Sequence, residues 1–267
     1  MSVAPFDLRA HGGRDRIAGR GFQAVLLFSI TIGFVIPMWA YINLTERKIR
    51  AERDTTTLVL DAGAGHGPYR RLFSHARYEA ADFAQLGTRY TPLDYVCSLT
   101  DVPVEDGRFA RILCNQVLEH LDAPAEALAE LYRVLAPGGR VLLSAPLSYP
   151  EHQQPYDYFR YTQFALRKMF TDAGFTDVTV SWLEGYFGTV AFQLEQMHRQ
   201  LPRARTLTLR RRVVLGPLLA VTRATAFVLS GVFARVDLRW KYTASGMPKN
   251  YVVRAAKADG GAGSAAA

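Results

Sequence analysis

Cysteine is scarce: Cys97 and Cys114 are the only two in 267 residues, and both fall in apolar, strand-like runs. That argues against a disulfide framework and a thiolate metal site, and it fits small buried thiols in a reducing compartment. Charge is missing altogether from Phe22 to Leu44, a run that as a helix would reach about 30 Å, the thickness of a bilayer core. The run is long for the apolar part of a secretory signal and no small-x-small pattern follows it, so a cleaved leader is not expected. Acids are nearly absent from the far end, where thirteen Lys and Arg between Arg199 and Lys257 face one acid, Asp237. The net charge of +8 is therefore local, and the rest of the chain is slightly acidic. At 49% hydrophobic and 21% charged residues the chain is globular and long enough for a substantial core.

What is present is organised around Leu58 to Gly67, L-V-L-D-A-G-A-G-H-G. An apolar run that stops at a glycine cluster reads as a buried parallel strand entering a tight loop, with Asp61 at the carboxyl edge of the sheet. A dinucleotide fingerprint would place a third glycine where Pro68 stands, which weighs against a nicotinamide cofactor. Further strands are expected at Arg77 to Ala81, Tyr95 to Leu99, Arg111 to Asn115, Arg140 to Ala145 and Tyr251 to Ala255. Helices are expected from Gly67-Pro68, over Pro124 to Val134 and over Thr162 to Ala173. Asp82 follows the second strand 19 residues after Gly63, close to the spacing of a ribose-binding acid. Alternating strands and helices predict an α/β, Rossmann-like, doubly wound, mostly parallel sheet of about seven strands.

The pattern D-x-G-x-G-x-G from Asp61 resembles motif I of class I S-adenosylmethionine-dependent methyltransferases. Together with Asp82, Q-V-L-E-H-L from Gln116 and L-A-P-G-G-R-V-L-L-S-A-P from Leu135, it is similar to the methyltransferase type 11 group. The later P-Y-D-Y-F-R-Y-T from Pro155 resembles a subset found with bacterial surface-polysaccharide genes. The resemblance covers about Leu58 to Trp182 and implies S-adenosyl-L-methionine as cofactor. By that resemblance Asp61, Gly63, Gly65 and Gly67 seat the methionine part, Asp82 the ribose, Ser98 and Leu99 the adenine, and Asn115 and Gln116 the inner edge. Ser98 and Ala110 depart from the pattern, standing where the group usually carries acids. No metal is called for.

Chemistry on the acceptor is expected in the polar-aromatic loop Pro146 to Thr162, with His152 as candidate base and Asp157 beside it. The alternative is a structural lid in which Asp157 pairs with Arg160. His120 has the same two readings, fixing a loop or taking a proton.

The domain reading is a basic segment over 1–21, an apolar helix over 22–44, a core over 45–185, a basic helical insertion over 186–248, a last strand over 249–257 and a disordered tail over 258–267. The apolar run reads as membrane-associated, with a buried core helix as the alternative. Val213 to Val236 cannot be a single crossing, because strands before and after it belong to one sheet. A shallow hairpin broken around Pro217, or a helix lying in the interface, is expected, with Arg210 to Arg212, Arg223 and Arg235 facing lipid phosphates. The function expected is methyl transfer to a small-molecule, glycan or lipid-linked acceptor by a cytoplasmic protein at the inner face of the plasma membrane. A non-catalytic cofactor-binding protein and a nucleic-acid methyltransferase are the alternatives. The latter is disfavoured because no N/D-P-P-Y/F signature follows the fourth strand.

Overall fold

The computed structural model describes residues 57–259, apart from 75, 86–88 and 204–205. The basic segment 1–21, the apolar run Phe22 to Leu44 and nearly all of the tail lie outside the described residues.

Seven strands form one sheet: β1 (Leu58–Ala62), β2 (Arg77–Asp82), β3 (Tyr95–Val96), β4 (Phe109–Asn115), β5 (Leu135–Pro146), β6 (Thr176–Trp182) and β7 (Asn250–Ala256). Their order is β3-β2-β1-β4-β5-β7-β6. Neighbours from β3 through β5 are parallel, and β7 runs antiparallel to both β5 and β6. The winding reverses between β1 and β4, so their carboxyl ends open onto the crevice where open α/β sheets bind ligands.

Alternation along β4 sends Ile112 and Cys114 to one face and Leu113 to the other. The first face is covered by helices α1 (Pro124–Val134) and α2 (Gln163–Asp172), which bury Leu128, Leu131, Leu166 and Phe170 against Phe109, Leu143 and Val253. Pro124 opens α1, where its missing N–H is not needed, and the Thr162 hydroxyl caps α2 by accepting from Ala165 N.

The helix expected from Gly67-Pro68 is only a 3-10 turn, Arg70–Phe73. The glycine loop takes up the first part of the connection between Ala62 and Arg77, and a single 3-10 turn with extended backbone on either side carries the chain back to the start of β2, where Arg77 pairs with Leu58.

Between β6 and β7 the chain leaves as α3 (Tyr186–Gln200) and returns as α4 (Leu209–Arg239), two helices packed side by side. Contrary to the expected break, α4 continues through Pro217, and the chain has already reversed between Gln200 and Leu209. A proline can bend a long helix without ending it. Arg223 is a second correction. Instead of facing outward, its guanidinium donates to the carbonyls of His198 and Leu201, closing the carboxyl end of α3 as a helix-capping cation. The one acid of the stretch, Asp237, accepts from Gly185 N at the opposite end of α3.

At the base of this helical pair Glu184 precedes α3 and Lys249 precedes β7, and both are buried, Lys249 being 1% exposed. Lys249 Nζ lies 3.4 Å from Glu184 Oε1, and Glu184 also accepts from the backbone and side chain of Asn250.

Candidate functional site

The loop after β1 turns on three glycines with positive φ, Gly63 at 80°, Gly65 at 50° and Gly67 at 65°. Gly63 N donates to Ala81 O, and Gly65 N donates to Asp82 Oδ2 at 3.0 Å, so the acid ending β2 holds the crest of the loop. Crowding differs along it. A Cβ on Gly63 would lie 2.3 Å from a Val117 methyl and one on Gly67 2.7 Å from Thr91 Oγ1, whereas one on Gly65 would meet nothing within 4 Å.

That open space is a cavity of about 630 Å³. Gly63, Gly65, Asp82, Ser98, Leu99 and Gln116 line it, all of them expected at the cofactor. His120, Gln153, Tyr156 and Tyr158 also line it, so the loop expected to meet the acceptor shares its wall. A mixed polar and apolar cavity of this size beside an open glycine crest and a carboxylate fits a nucleoside with a short amino-acid chain.

Three expected cofactor residues stand back from the wall. Gly67 packs against Thr91. Asn115 donates to Tyr69 OH and accepts from Ser144 Oγ, and Ser144 also receives Gln116 Nε2 at 3.0 Å, so Asn115 sets the shape of the inner edge from behind. Asp61 is buried beneath the loop and accepts from Tyr78 OH. Burial, with nearby Asp82, pushes its carboxyl up to about 7, against the opposing hydrogen bond. The fold thus favours protonated Asp61, and that contribution is whole below about pH 4 and lost as pH rises towards 7. Thermal melts should show wild type losing stability relative to Asp61→Asn over this window. Parallel pH profiles would contradict the assignment.

In the acceptor loop Arg160 grips both oxygens of Asp157, at 2.6 and 2.8 Å, and donates to the carbonyls of Tyr149 and Pro150. Asp157 Oδ2 also receives His152 N at 2.7 Å. Arg160 holds the Asp157 carboxyl well below the usual carboxylate range. Asp157 is therefore committed to the loop's own shape, while His152 keeps its ring beside His120, centroids 4.6 Å apart. Neither His152 nor Asp157 is among the lining residues, and His120 is.

The loop is laced to the turn after β4: Tyr158 N donates to Glu119 O, and Tyr161 OH to Leu118 O. Glu119 itself went unnoticed in the sequence as a chemical group. It is fully buried, neither carboxylate oxygen has a hydrogen-bond partner, and burial pushes its carboxyl up to about 8. The signal available was an acid directly beside a histidine in an otherwise apolar turn.

A family profile described as a methyltransferase domain matches residues 41–180, just over half of the chain. A probable S-adenosylmethionine-dependent methyltransferase of Mycolicibacterium smegmatis is 33% identical over 96 residues, 33% of this chain and 37% of that protein. The demethylmenaquinone methyltransferase of Renibacterium salmoninarum is 31% identical over 121 residues, 42% of this chain and 49% of that protein. The chain thus spans less than half the length of these two curated relatives. Among solved structures, Haemonchus contortus phosphoethanolamine N-methyltransferase 2 in complex with S-adenosyl-L-methionine aligns with a TM-score of 0.49 at 17% identity, over 81% of this chain and 52% of that one. With the profile spanning its central half and the D-x-G-x-G-x-G loop at the switch point of the sheet, this chain belongs to the methyltransferase domain family of class I S-adenosylmethionine-dependent methyltransferases.

Proposed function

We propose that the protein transfers a methyl group from S-adenosyl-L-methionine to an oxygen of a small-molecule, glycan or lipid-linked acceptor, on the cytoplasmic side of the membrane and in contact with its surface. One observation carries the reading: a single cavity whose wall includes both the glycine crest with Asp82 and His120, Tyr156 and Tyr158. When bound, the cofactor supplies a methyl group already activated by the sulfonium charge. The residues have the simpler tasks of binding, aligning and drying the two reactants. Asp82 would offer a carboxylate to ribose hydroxyls, Ser98 and Leu99 would hold the base, and Tyr156 and Tyr158 would give a hydroxyl-rich acceptor an amphipathic rim. His120 has its Nδ1 engaged by Tyr156 O at 2.6 Å, and burial lowers its pKa, so at neutral pH its imidazole is uncharged and Nε2 is left to accept a proton or a lone-pair acceptor. Transfer of labelled methyl from S-adenosyl-L-methionine into cell-envelope extract is the test. Incorporation that disappears with Asp82→Ala supports the reading, and a folded, cofactor-binding protein that labels nothing overturns it.

Support for the membrane surface comes from α4. It is a 31-residue helix long and apolar enough to cross a bilayer, and it leaves Val213, Val214, Leu218 and Val221 more than 60% exposed beside Arg210, Arg211 and Arg212. Because β6 and β7 pair in one sheet, a helix lying along the lipid surface suits the topology better than one crossing it. Wild type should float with anionic vesicles and stay bound through a high-salt wash. Replacing Val213, Leu218 and Val221 together by serine should release it. Full-length protein recovered without detergent in the soluble fraction at low salt would sink this part.

A further inference from the structure

Beside the cavity three side chains converge that methyl transfer by proximity does not need. Glu119, His120 and His152 each bring one potential ligand atom within 4.8 Å of the other two, the one such group of three among the described residues. Glu119 and His120 are neighbours in the turn after β4. His152 is carried over to them by the acceptor loop, 32 positions later, which is why sequence spacing alone did not reveal the set.

The hydrogen bonding sharpens the juxtaposition. Each histidine has its Nδ1 directed at an oxygen: His120 at Tyr156 O, 2.6 Å, and His152 at Pro150 O, 3.2 Å, and Asp157 Oδ2, 3.3 Å. Those partners accept, so each Nδ1 carries the proton and each Nε2 keeps its lone pair. A backbone carbonyl or carboxylate behind one ring nitrogen is the arrangement that orients metal-binding histidines. Both oxygens of Glu119 and Nε2 of His120 are buried without a partner. A buried carboxyl whose two oxygens both lack a hydrogen-bond partner is costly, and it sits here beside a ring nitrogen that likewise has none. One divalent cation would satisfy all three atoms together. His120 Nε2 and Glu119 Oε1 are 3.8 Å apart, against about 3.4 Å for two ligands on one tetrahedral ion. His152, part-exposed on its loop, offers a ring nitrogen within 4.8 Å of both, near enough to join them by a shift of that loop.

We propose that Glu119, His120 and His152 form a binding site for one divalent first-row transition-metal ion at the acceptor side of the cavity. Two imidazoles and one carboxylate favour such an ion over magnesium or calcium, which prefer all-oxygen shells. Three protein ligands leave positions open. His120 lines the cavity, and so does Gln116, whose buried Oε1 also has no partner, so the open positions face the space where an acceptor oxygen would lie. The site stands independently of the activity. Its role, which rests on the methyl-transfer reading, is to hold and polarise an acceptor hydroxyl. The hydroxyl proton leaves to water, the oxygen forms its bond to the methyl carbon, and the carbon–sulfur bond breaks with its electron pair returning to sulfur.

The test uses full-length protein without a histidine tag, stripped by chelator and titrated with cobalt(II) alone in the absence of S-adenosyl-L-methionine. The expected result is saturation at one ion per chain with visible ligand-field absorption. His152→Ala and Glu119→Gln should each weaken binding at least about 100-fold, and Asp157→Asn, behind His152, about 10- to 100-fold. His152 is the variant least able to disturb the core, and cofactor binding measured separately on the stripped variants reports whether each remains folded. Folded wild type that takes up no cobalt, or His152→Ala with unchanged affinity, overturns the proposal. Neither outcome touches the cofactor reading, which calorimetry tests on metal-free protein.

Discussion

Gly65→Val should abolish S-adenosyl-L-methionine binding, a loss of at least about 100-fold in calorimetry, in a protein that still folds. Both halves of this result follow from one position. A Cβ on Gly65 meets no protein atom within 4 Å, so a valine there starts in open space and projects its methyls into the cavity the ligand would fill. The cost to the fold is confined to a left-handed backbone, φ 50°, where a Cβ is worth about 1–2 kcal/mol of strain. Gly63→Ala is the contrasting case. Its methyl would lie 2.3 Å from Val117, wedging the loop off the turn after β4, so melting temperature and affinity should fall together. Asp82→Ala lies between them, losing charge-assisted hydrogen bonds to ligand and loop worth roughly 1.5–3 kcal/mol, or about 10- to 150-fold in affinity. Gly65→Val with wild-type affinity would mean that the cofactor does not lie over this loop.

The second large effect is on stability and comes from a buried ion pair that does not line the cavity. Lys249→Met should destabilise the protein by about 3–5 kcal/mol, lowering its melting temperature by on the order of 10 °C. Lys249 is buried between Glu184 and the ring of Phe192, 4.8 Å from its centroid, and removing the ammonium strands a carboxylate that Asn250 alone cannot neutralise. Combining it with Glu184→Gln should recover part of the loss, because removing both charges is milder than orphaning one. A double variant no better than the single would show that Lys249 acts through its packing and not through the charge.

The parts of this molecule that were legible in advance are those that local pattern controls. Leu58 to Ala62 and Arg111 to Asn115 are apolar runs stopped by polar residues, and Pro124 to Val134 has an apolar face at helical spacing, so their types follow from burial alone. Asp82 was legible because a fixed strand-loop-helix geometry sets its distance from the glycines. What escaped depends on partners distant in the chain. Asp61 reads as a ligand-facing acid, yet Tyr78 on the next strand draws it under the loop. Pro217 reads as a break, and Arg223 as a lipid-facing cation, until α3 supplies carbonyls that need closing. The pairing of Asp157 with Arg160 was one of two readings, and only the loop's folded path, with Arg160 reaching back to Tyr149, decides for it.

The antiparallel pairing of β6 with β7 has an evolutionary and practical side. Trp182 and Tyr251 face each other across that pair, so the chain leaves the sheet and re-enters it at neighbouring points. Everything in between, both helices included, is in effect the turn of a β-hairpin. Such a turn can be shortened, lengthened or exchanged without altering the register of any strand, and the crevice between β1 and β4 lies elsewhere in the strand order. The helical pair is thus a cassette in topology, yet Phe192 stacks on Tyr149 and Gln193 donates to Ser148, so exchanging it would change what supports the acceptor loop and, with its exposed apolar surface, couple the choice of surface to the choice of acceptor.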